Sequence, residues 1–155
     1  MADRRTIRVL FVDDDRGFLE ALEALFADDE RFEIVGTAAD GSEAVARAVD
    51  LRPDVVTMDL EMPRMDGVEA TRRIRAELPD TRVVVVSSSA YATRAEMARE
   101  AGASAYVTKS AVADELLPTV VAVAGGESFG DSELAPTLQA KARRLGTSHD
   151  DARVV

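Results

Sequence analysis

The sequence predicts an α/β fold in which a five-stranded parallel sheet is doubly wound, with helices on both of its faces. Strand-like and helix-like segments alternate five times between residues 7 and 124. The connections between them are short, and the strands are almost continuously apolar. Short connections in a strictly alternating pattern favour parallel βα units, and apolar strands favour a sheet buried on both faces.

The first four elements are predicted between residues 7 and 54. Ile7–Val12 is a short, mostly apolar run typical of a strand, and apolar residues at helical spacing predict a helix over residues 18–26. Phe32–Gly36 is predicted as the second strand, ending near Thr37. The second helix begins with the capping chemistry of residues 40–43 and ends at Arg52-Pro53-Asp54, because proline interrupts helices.

The later elements repeat this alternation. Pro79-Asp80 ends the third helix, and Ala101-Gly102-Ala103 ends the fourth. The predicted bounds, alternating strand and helix, are Val55–Met58, Gly67–Leu78, Val83–Val86, Thr93–Glu100, Ala105–Val107 and Val112–Ala124.

Gly125-Gly126 marks the predicted end of the domain. We therefore divide the chain into a domain at 1–128 and a C-terminal extension at 129–155. Within the extension, leucines roughly on one face predict a helix over 133–145, and the last ten residues are expected to be disordered.

The composition of the chain argues against several classes of function. The chain of 155 residues has no cysteine and one histidine, His149, so thiol chemistry is excluded and neither a zinc site nor a histidine-based triad is expected. No signal-peptide core or membrane-length apolar run is present, which makes a cytoplasmic protein with no membrane contact the expectation.

Residues 129–155 hold four acids and four bases, so the net charge of −10 belongs entirely to residues 1–128. That charge argues against direct binding to DNA or RNA.

Polar residues follow four of the five predicted strands. Asp13-Asp14-Asp15 follows the first strand, Asp59 the third, Ser87 the fourth and Lys109 the fifth. In an open parallel sheet, ligands bind outside the carboxyl ends of the strands, where the strand order reverses. Clustered carboxylates repel one another and favour a hard cation such as Mg²⁺. With Ser87 and Lys109 to contact phosphoryl oxygens, this set suggests Mg²⁺-dependent phosphoryl transfer to or through an aspartate.

Each signal taken alone has an ordinary structural explanation. An aspartate triplet after a strand often only caps the next helix. Lys109 alone is typical of a surface lysine, and Tyr106 alone is typical of the core of a sheet. The joint placement of these polar groups at four strand ends favours a site.

The same segments resemble the receiver domain of two-component response regulators. The matching stretches are Val9–Asp14, Asp54–Pro63 with Asp66-Gly67, Val83–Ser87 and Ala101–Lys109. They occur in the family's order and spacing across about residues 6–128. The resemblance implies a flavodoxin-like (βα)5 fold with strand order 2-1-3-4-5.

The resemblance also implies roles for the site residues. Asp59 would be the phosphoacceptor, modified to an aspartyl phosphate by a sensor histidine kinase. Asp14 and Asp59 would coordinate Mg²⁺, with Asp13 bound directly or through water and the backbone carbonyl of Glu61 as a further ligand. Lys109 would pair with the phosphoryl group.

Ser87 and Tyr106 are implied to switch the domain. Ser87 would bind a phosphoryl oxygen, and Tyr106 would turn inward once Ser87 moves. The surface of helix four, strand five and helix five would then change and engage a partner or a second copy in a homodimer. Catalysis would be limited to self-phosphotransfer and autodephosphorylation. One departure is Ser110, since many relatives have proline after the lysine, and a cis bond is less favourable without it.

The sequence says less about which molecule the domain would act on. Ala124–Phe129 and Ser132–Pro136 are similar to the linker of LuxR-type (NarL/FixJ-like) regulators, but the 26 residues after Phe129 contain no helix-turn-helix. A stand-alone receiver and a truncated transcription factor both fit. Two other functions stay open. A haloacid-dehalogenase-type phosphohydrolase would have an Asp-x-Asp pattern, but here Asp59 is followed two residues later by Glu61, and no cap domain is expected. A phosphorylation-independent interaction domain would keep these residues without using them.

Overall fold

The computed structural model describes residues 5–89 and 91–128. It contains the predicted alternation of strands and helices, and a short 3₁₀ turn, Lys109–Ala111, precedes the last helix. The elements are β1 Ile7–Val12, α1 Arg16–Ala27, β2 Phe32–Ala38, α2 Gly41–Leu51, β3 Val55–Met58, α3 Gly67–Glu77, β4 Arg82–Ser87, α4 Ala92–Ala101, β5 Ala105–Thr108 and α5 Val112–Ala124. The helix predicted at 133–145 and the tail after it lie outside the described residues.

The strands form one parallel sheet in the order β2-β1-β3-β4-β5. The predicted doubly wound α/β fold and its strand order are therefore confirmed. The register aligns the carboxyl ends of the central strands, since Val12 pairs with Met58 and Met58 with Val85. Ser87 pairs with Thr108 at the same edge. Residues that follow β1, β3 and β5 are thereby brought together.

Apolar clusters cover both faces of the sheet. On one face α1 and α5 pack Leu22, Phe26 and Leu116 against β1, β4 and β5. On the other face α2, α3 and α4 contribute the small residues Ala44 and Ala70 with larger neighbours. Strands β3, β4 and β5 are almost completely buried, which explains their apolar sequences, whereas the edge strand β2 is partly exposed.

The observed bounds differ from the predicted ones at several ends. β2 extends to Ala38, and β4 runs from Arg82 to Ser87, because backbone pairing continues past the apolar residues that defined the prediction. Ser87 is consequently a strand residue rather than part of a loop. No cis peptide bond occurs in the described ranges, so Lys109 and Ser110 are joined in trans. Among the described helices, none is long and apolar enough to span a membrane.

Candidate functional site

The site begins where β1 and β3 end side by side. The backbone N–H of Asp59 donates to the carbonyl of Val12 at 3.0 Å, and that of Asp13 donates to the carbonyl of Ala38 at 3.0 Å. These two bonds continue the pairing of the sheet by one residue past each strand. Because the strands are parallel and in register, Asp13 and Asp59 emerge at the same edge.

The three consecutive aspartates Asp13, Asp14 and Asp15 have different roles. The Asp15 carboxylate caps α1 by accepting a hydrogen bond from the Phe18 N–H at 3.2 Å. Asp13 is buried, and its Oδ1 accepts from the Asp15 N–H at 2.8 Å, whereas Asp14 is exposed. The capping interpretation therefore holds for Asp15, and the other two acids face the site.

Asp13, Asp14 and Asp59 form a carboxylate cluster. Each offers an oxygen, and the three oxygens lie within 4.8 Å of one another. Two members are buried and one is exposed, so the cluster has protein on one side and solvent on the other. Hard oxygen donors at this spacing, with room for water, suit Mg²⁺.

Glu61 is placed differently. Its side chain is exposed and forms an ion pair with Arg94 of α4. Its backbone N–H donates to Asp59 Oδ1 over a long 3.5 Å. The Glu61 carboxylate is therefore engaged by Arg94 and is not a member of the carboxylate cluster.

The protonation of Asp59 reflects its surroundings. Burial is the largest cause that raises its pKa, to about 6, and the nearby charge of Asp13 adds to the effect. Lys109 acts in the opposite direction but does not compensate. The folded protein therefore holds Asp59 in a position where a negative charge is costly unless a further cation is present.

Lys109 brings a positive charge to the same place from β5. Its Nζ lies 2.8 Å from Asp13 Oδ2, an ion pair without hydrogen-bond geometry, and 4.4 Å from the centre of the Phe18 ring. Burial by itself lowers the pKa of Lys109, but Asp13 and Asp59 outweigh burial and leave it raised. The lysine is thus charged and is held between a carboxylate and an aromatic face.

Ser87 and Tyr106 meet through the loop after β4. Ser87 is buried, and its Oγ accepts a hydrogen bond from the Ser89 N–H at 3.1 Å. The Tyr106 hydroxyl donates to the Ser89 carbonyl at 2.7 Å, and the ring is 4% exposed. Burial raises the pKa of Tyr106. The Tyr106 side chain is therefore buried and tied to the loop that carries Ser89.

Two glycines hold the loop that follows Asp59. The Gly67 N–H donates to the Leu60 carbonyl at 2.9 Å, and a Cβ on Gly67 would lie 2.0 Å from the Asp59 carbonyl oxygen. The Gly41 N–H donates to the Met65 carbonyl at 3.0 Å, and a Cβ there would lie 2.2 Å from that oxygen. The loop is fixed at both ends by backbone that only glycine allows to approach so closely.

Sequence reasoning missed three contributors to the site. Phe18 falls within the helix predicted over residues 18–26, and nothing in the sequence around Arg94 indicates its contact with Glu61. Gly41 falls within the predicted start of the second helix. Its role had a detectable signal, because Asp40-Gly41 and Asp66-Gly67 are the same dipeptide, and each aspartate caps the helix that its glycine begins.

Comparison with known proteins gives a consistent picture. The sequence model of the response regulator receiver domain matches residues 9–121. The chain is 38% identical over 140 residues to the transcriptional regulatory protein LiaR of Bacillus subtilis and 34% identical over 139 residues to the response regulator protein VraR of Staphylococcus aureus. Each alignment covers 90% of this chain and 66% of the relative, so the chain spans just under two thirds of their length.

Solved structures agree with the sequence comparisons. A LuxR-family two-component response regulator from Aurantimonas superposes with a TM-score of 0.80 at 32% identity, covering 90% of this chain and 96% of that one. The receiver domain of NarL from Mycobacterium tuberculosis has a TM-score of 0.75 at 30% identity, covering 79% and 99%.

Proposed function

This chain belongs to the family of response regulator receiver domains, and we propose that Asp59 is its phosphoacceptor, with a sensor histidine kinase as the donor. Receiver domains are signalling proteins of two-component systems, and the chain matches that family over most of its length. The observation that carries the proposal is the position of Asp59. Its carboxylate lies at the end of a central strand, beside two further acids and within the electrostatic reach of Lys109.

The proposed reaction transfers a phosphoryl group between two side chains. A carboxylate oxygen of Asp59 attacks the phosphorus of a phosphohistidine, the phosphorus–nitrogen bond breaks, and the imidazole nitrogen leaves with the electron pair. The product is an aspartyl phosphate, a mixed anhydride. Lys109 offsets negative charge on the transferred group, because its ammonium already acts on the Asp59 carboxylate.

Asp13, Asp14 and Asp59 are the residues that would hold Mg²⁺, with the Glu61 carbonyl as a further oxygen ligand. When bound, the ion neutralises charge on the carboxylates and on the phosphoryl oxygens. The geometry of the carboxylate cluster supports this assignment. The raised pKa of Asp59 supports it too, because a site that disfavours an uncompensated carboxylate gains most from a cation.

Ser87 and Tyr106 would convert phosphorylation into a conformational signal. Ser87 would donate its hydroxyl to the phosphoryl group, and because its Oγ also accepts from the Ser89 N–H, a movement of Ser87 would be passed to the loop that carries Ser89. The loop that carries Ser89 also holds the Tyr106 hydroxyl. Movement of Ser87 would therefore shift the tyrosine and the surface of α4, β5 and α5, which would bind a partner or a second copy.

Mass measurement of the intact protein tests the phosphoacceptor. With Mg²⁺ and acetyl phosphate, we expect one phosphoryl adduct on the wild type and none on Asp59→Asn. Asp66→Asn is the matched control on the same loop, since asparagine caps a helix as well as aspartate, and it should form the adduct. An adduct on Asp59→Asn, or none on the wild type, would contradict the proposal. Steady turnover of small phosphate esters would instead favour a phosphohydrolase.

Sizing of the protein with beryllofluoride and Mg²⁺ tests the output surface. Met97 on α4 is 43% exposed, so Met97→Asp places a charge on the proposed surface with little effect on the core. If the activated protein forms a dimer through this surface, Met97→Asp should remain monomeric. Val49 on α2, 37% exposed, gives the control Val49→Asp, which should still dimerise. A monomer under all conditions would assign the signal to a separate partner.

A further inference from the structure

A second charged feature lies at the amino ends of the strands, the opposite edge of the sheet from Asp59. A cavity of about 250 Å³ opens there beside the start of β4, the end of α4 and the connection from α4 to β5. Three of its lining residues are arginines, in a chain whose net charge is −10. The lining includes Arg75, Arg82, Arg99, Gly102, Ala103 and Ser104, and we call this space the arginine cavity.

The side chain of Arg75 is held in a fixed position at the cavity. Its guanidinium donates to the carbonyls of Pro79 and Thr81, both at 2.6 Å. Gly102, which follows α4, has a φ of 107°, and a Cβ there would lie 3.0 Å from Arg75 Cγ. Glycine at this position therefore lets the arginine stem lie against the end of α4. The buried Nε–H of Arg75 nevertheless has no acceptor among residues 5–89 and 91–128.

The charge of Arg82 is not compensated either. Its side chain is half-buried at the start of β4, and in the part of the chain that the structure describes its guanidinium has no hydrogen-bond or ion-pair partner. Burial lowers the pKa of Arg75, and the neighbouring charge of Arg82 lowers it further, while Asp80 only partly opposes them. Arg99 differs, because Glu96 already pairs with it. Two guanidinium groups at the cavity therefore repel each other, and neither is paired with a carboxylate of the described residues.

We propose that the arginine cavity is a binding site for a compact phosphate dianion, either inorganic phosphate or the phosphate of a small phosphomonoester. Guanidinium groups bind phosphate oxygens through charge-assisted hydrogen bonds, and two such groups balance two negative charges. The Nε–H of Arg75 and the unpaired guanidinium of Arg82 supply the donors. Ser104, which is 3% exposed and lines the same cavity, adds a hydroxyl. A volume of about 250 Å³ lies below the range typical of drug-sized ligands, so a compact anion fits better than a nucleotide.

Backbone amide NMR of the full chain tests the site directly. At mildly alkaline pH and constant ionic strength, without Mg²⁺, titrated inorganic phosphate should shift the amide signals of Gly102 and Ser104 saturably and leave that of Asp59 unchanged. Acetate, which carries one charge, should bind at least roughly tenfold more weakly. The absence of a saturable shift at Gly102 and Ser104 with tens of millimolar phosphate, or equal binding of acetate, would overturn the proposal.

Substitution of Arg82 provides the comparison between variants. Arg82→Gln removes the unpaired guanidinium without removing a hydrogen bond of the described residues, and the dissociation constant for phosphate should rise roughly tenfold. Arg72→Gln is the matched control, because Arg72 is exposed on α3 and its partner Glu69 keeps the ion pair with Arg73. This control should bind phosphate as tightly as the wild type. Unchanged binding by Arg82→Gln, or equal weakening in both variants, would contradict a site built on Arg82.

Methyl phosphate distinguishes the two sources of the anion. Binding as tight as that of inorganic phosphate would show that the cavity accepts phosphomonoesters, and binding at least roughly tenfold weaker would restrict it to the free ion. Either result supports a phosphate site, provided that the same Gly102 and Ser104 signals shift. A methyl phosphate response confined to other amides would count against the cavity as the place where phosphate binds.

Discussion

At the scale of single residues, the burial of Asp59 and the charges around it control its ionisation. A carboxylate whose pKa is raised to about 6 is only partly ionised just below neutral pH. Such a group is a poorer nucleophile when protonated and a better metal ligand when ionised. Binding of Mg²⁺ at the carboxylate cluster should therefore weaken as the pH falls through 6, because protons compete for the same oxygen.

The metal-free protein should be more stable as Asp59→Asn than as the wild type. The ordinary pKa of 3.8 is raised on folding, so ionisation of Asp59 opposes folding. The difference should be small below about pH 4, grow between pH 4 and 6, and reach about 1–2 kcal/mol above pH 6 after allowance for partial solvent screening. Urea unfolding of both proteins across this pH range measures it.

Millimolar Mg²⁺ supplies the control for this stability prediction. The ion should stabilise the wild type and narrow its difference from Asp59→Asn, which retains fewer charged ligands. A difference that is independent of pH, or that increases with Mg²⁺, would show that the clustered charge is not the cause.

Phe18 is expected to position Lys109. The ring lies 4.4 Å from the ammonium, a contact worth roughly 0.5–1 kcal/mol where solvent is near. Phe18→Leu should slow phosphorylation by acetyl phosphate severalfold while the free energy of unfolding falls by no more than about 1 kcal/mol. Phe18→Tyr keeps the aromatic face and should restore the rate. Equal rates for the leucine variant and the wild type would contradict this role.

At the scale of the elements, the Asp-Gly starts of α2 and α3 determine where the Asp59 loop lies. Each aspartate caps its helix, and each glycine lets the helix start press against the loop backbone. One dipeptide therefore both begins a helix and sets the position of the residues next to Asp59.

Gly67→Ala should disrupt this arrangement. Its Cβ would meet the Asp59 carbonyl at 2.0 Å, and because that atom is backbone the loop must move. We expect a loss of roughly 3 kcal/mol in the free energy of unfolding and reduced acceptance of the phosphoryl group. Gly125→Ala, where the nearest atom lies 3.5 Å away, should change stability by less than about 1 kcal/mol. Equal losses in both variants would contradict the steric explanation.

Most strand and helix identities were predictable because those elements have a clear helical period or a largely apolar run. α4 has little apolar periodicity, and its end was indicated by Ala101-Gly102-Ala103. The ends were less predictable, since Arg82 and Ser87 are polar residues that the β4 backbone nonetheless pairs. Asp13, Asp14 and Asp59 were predictable as a cluster from their strand ends. Phe18 and Arg94 were not, because a cation–π contact and an ion pair between distant segments have no local sequence pattern.

At the scale of the whole molecule, the net charge of −10 restricts the direct targets of this chain. Double-stranded DNA repels such a surface, and phosphorylation would add further negative charge. We expect no retardation of duplex DNA in a gel at about 0.1 M salt, with or without beryllofluoride. A retarded band that persists at this salt would contradict this expectation.

The strand order also has a consequence for biosynthesis. Asp13 leaves the first strand of the chain and Lys109 leaves the last, yet their side chains lie 2.8 Å apart. Contacts between such distant stretches form only after most of the polypeptide is available. A nascent chain on the ribosome thus exposes its acids long before the lysine that opposes them emerges. We therefore expect competence for phosphorylation to arrive late in translation, when the fifth strand has joined the sheet.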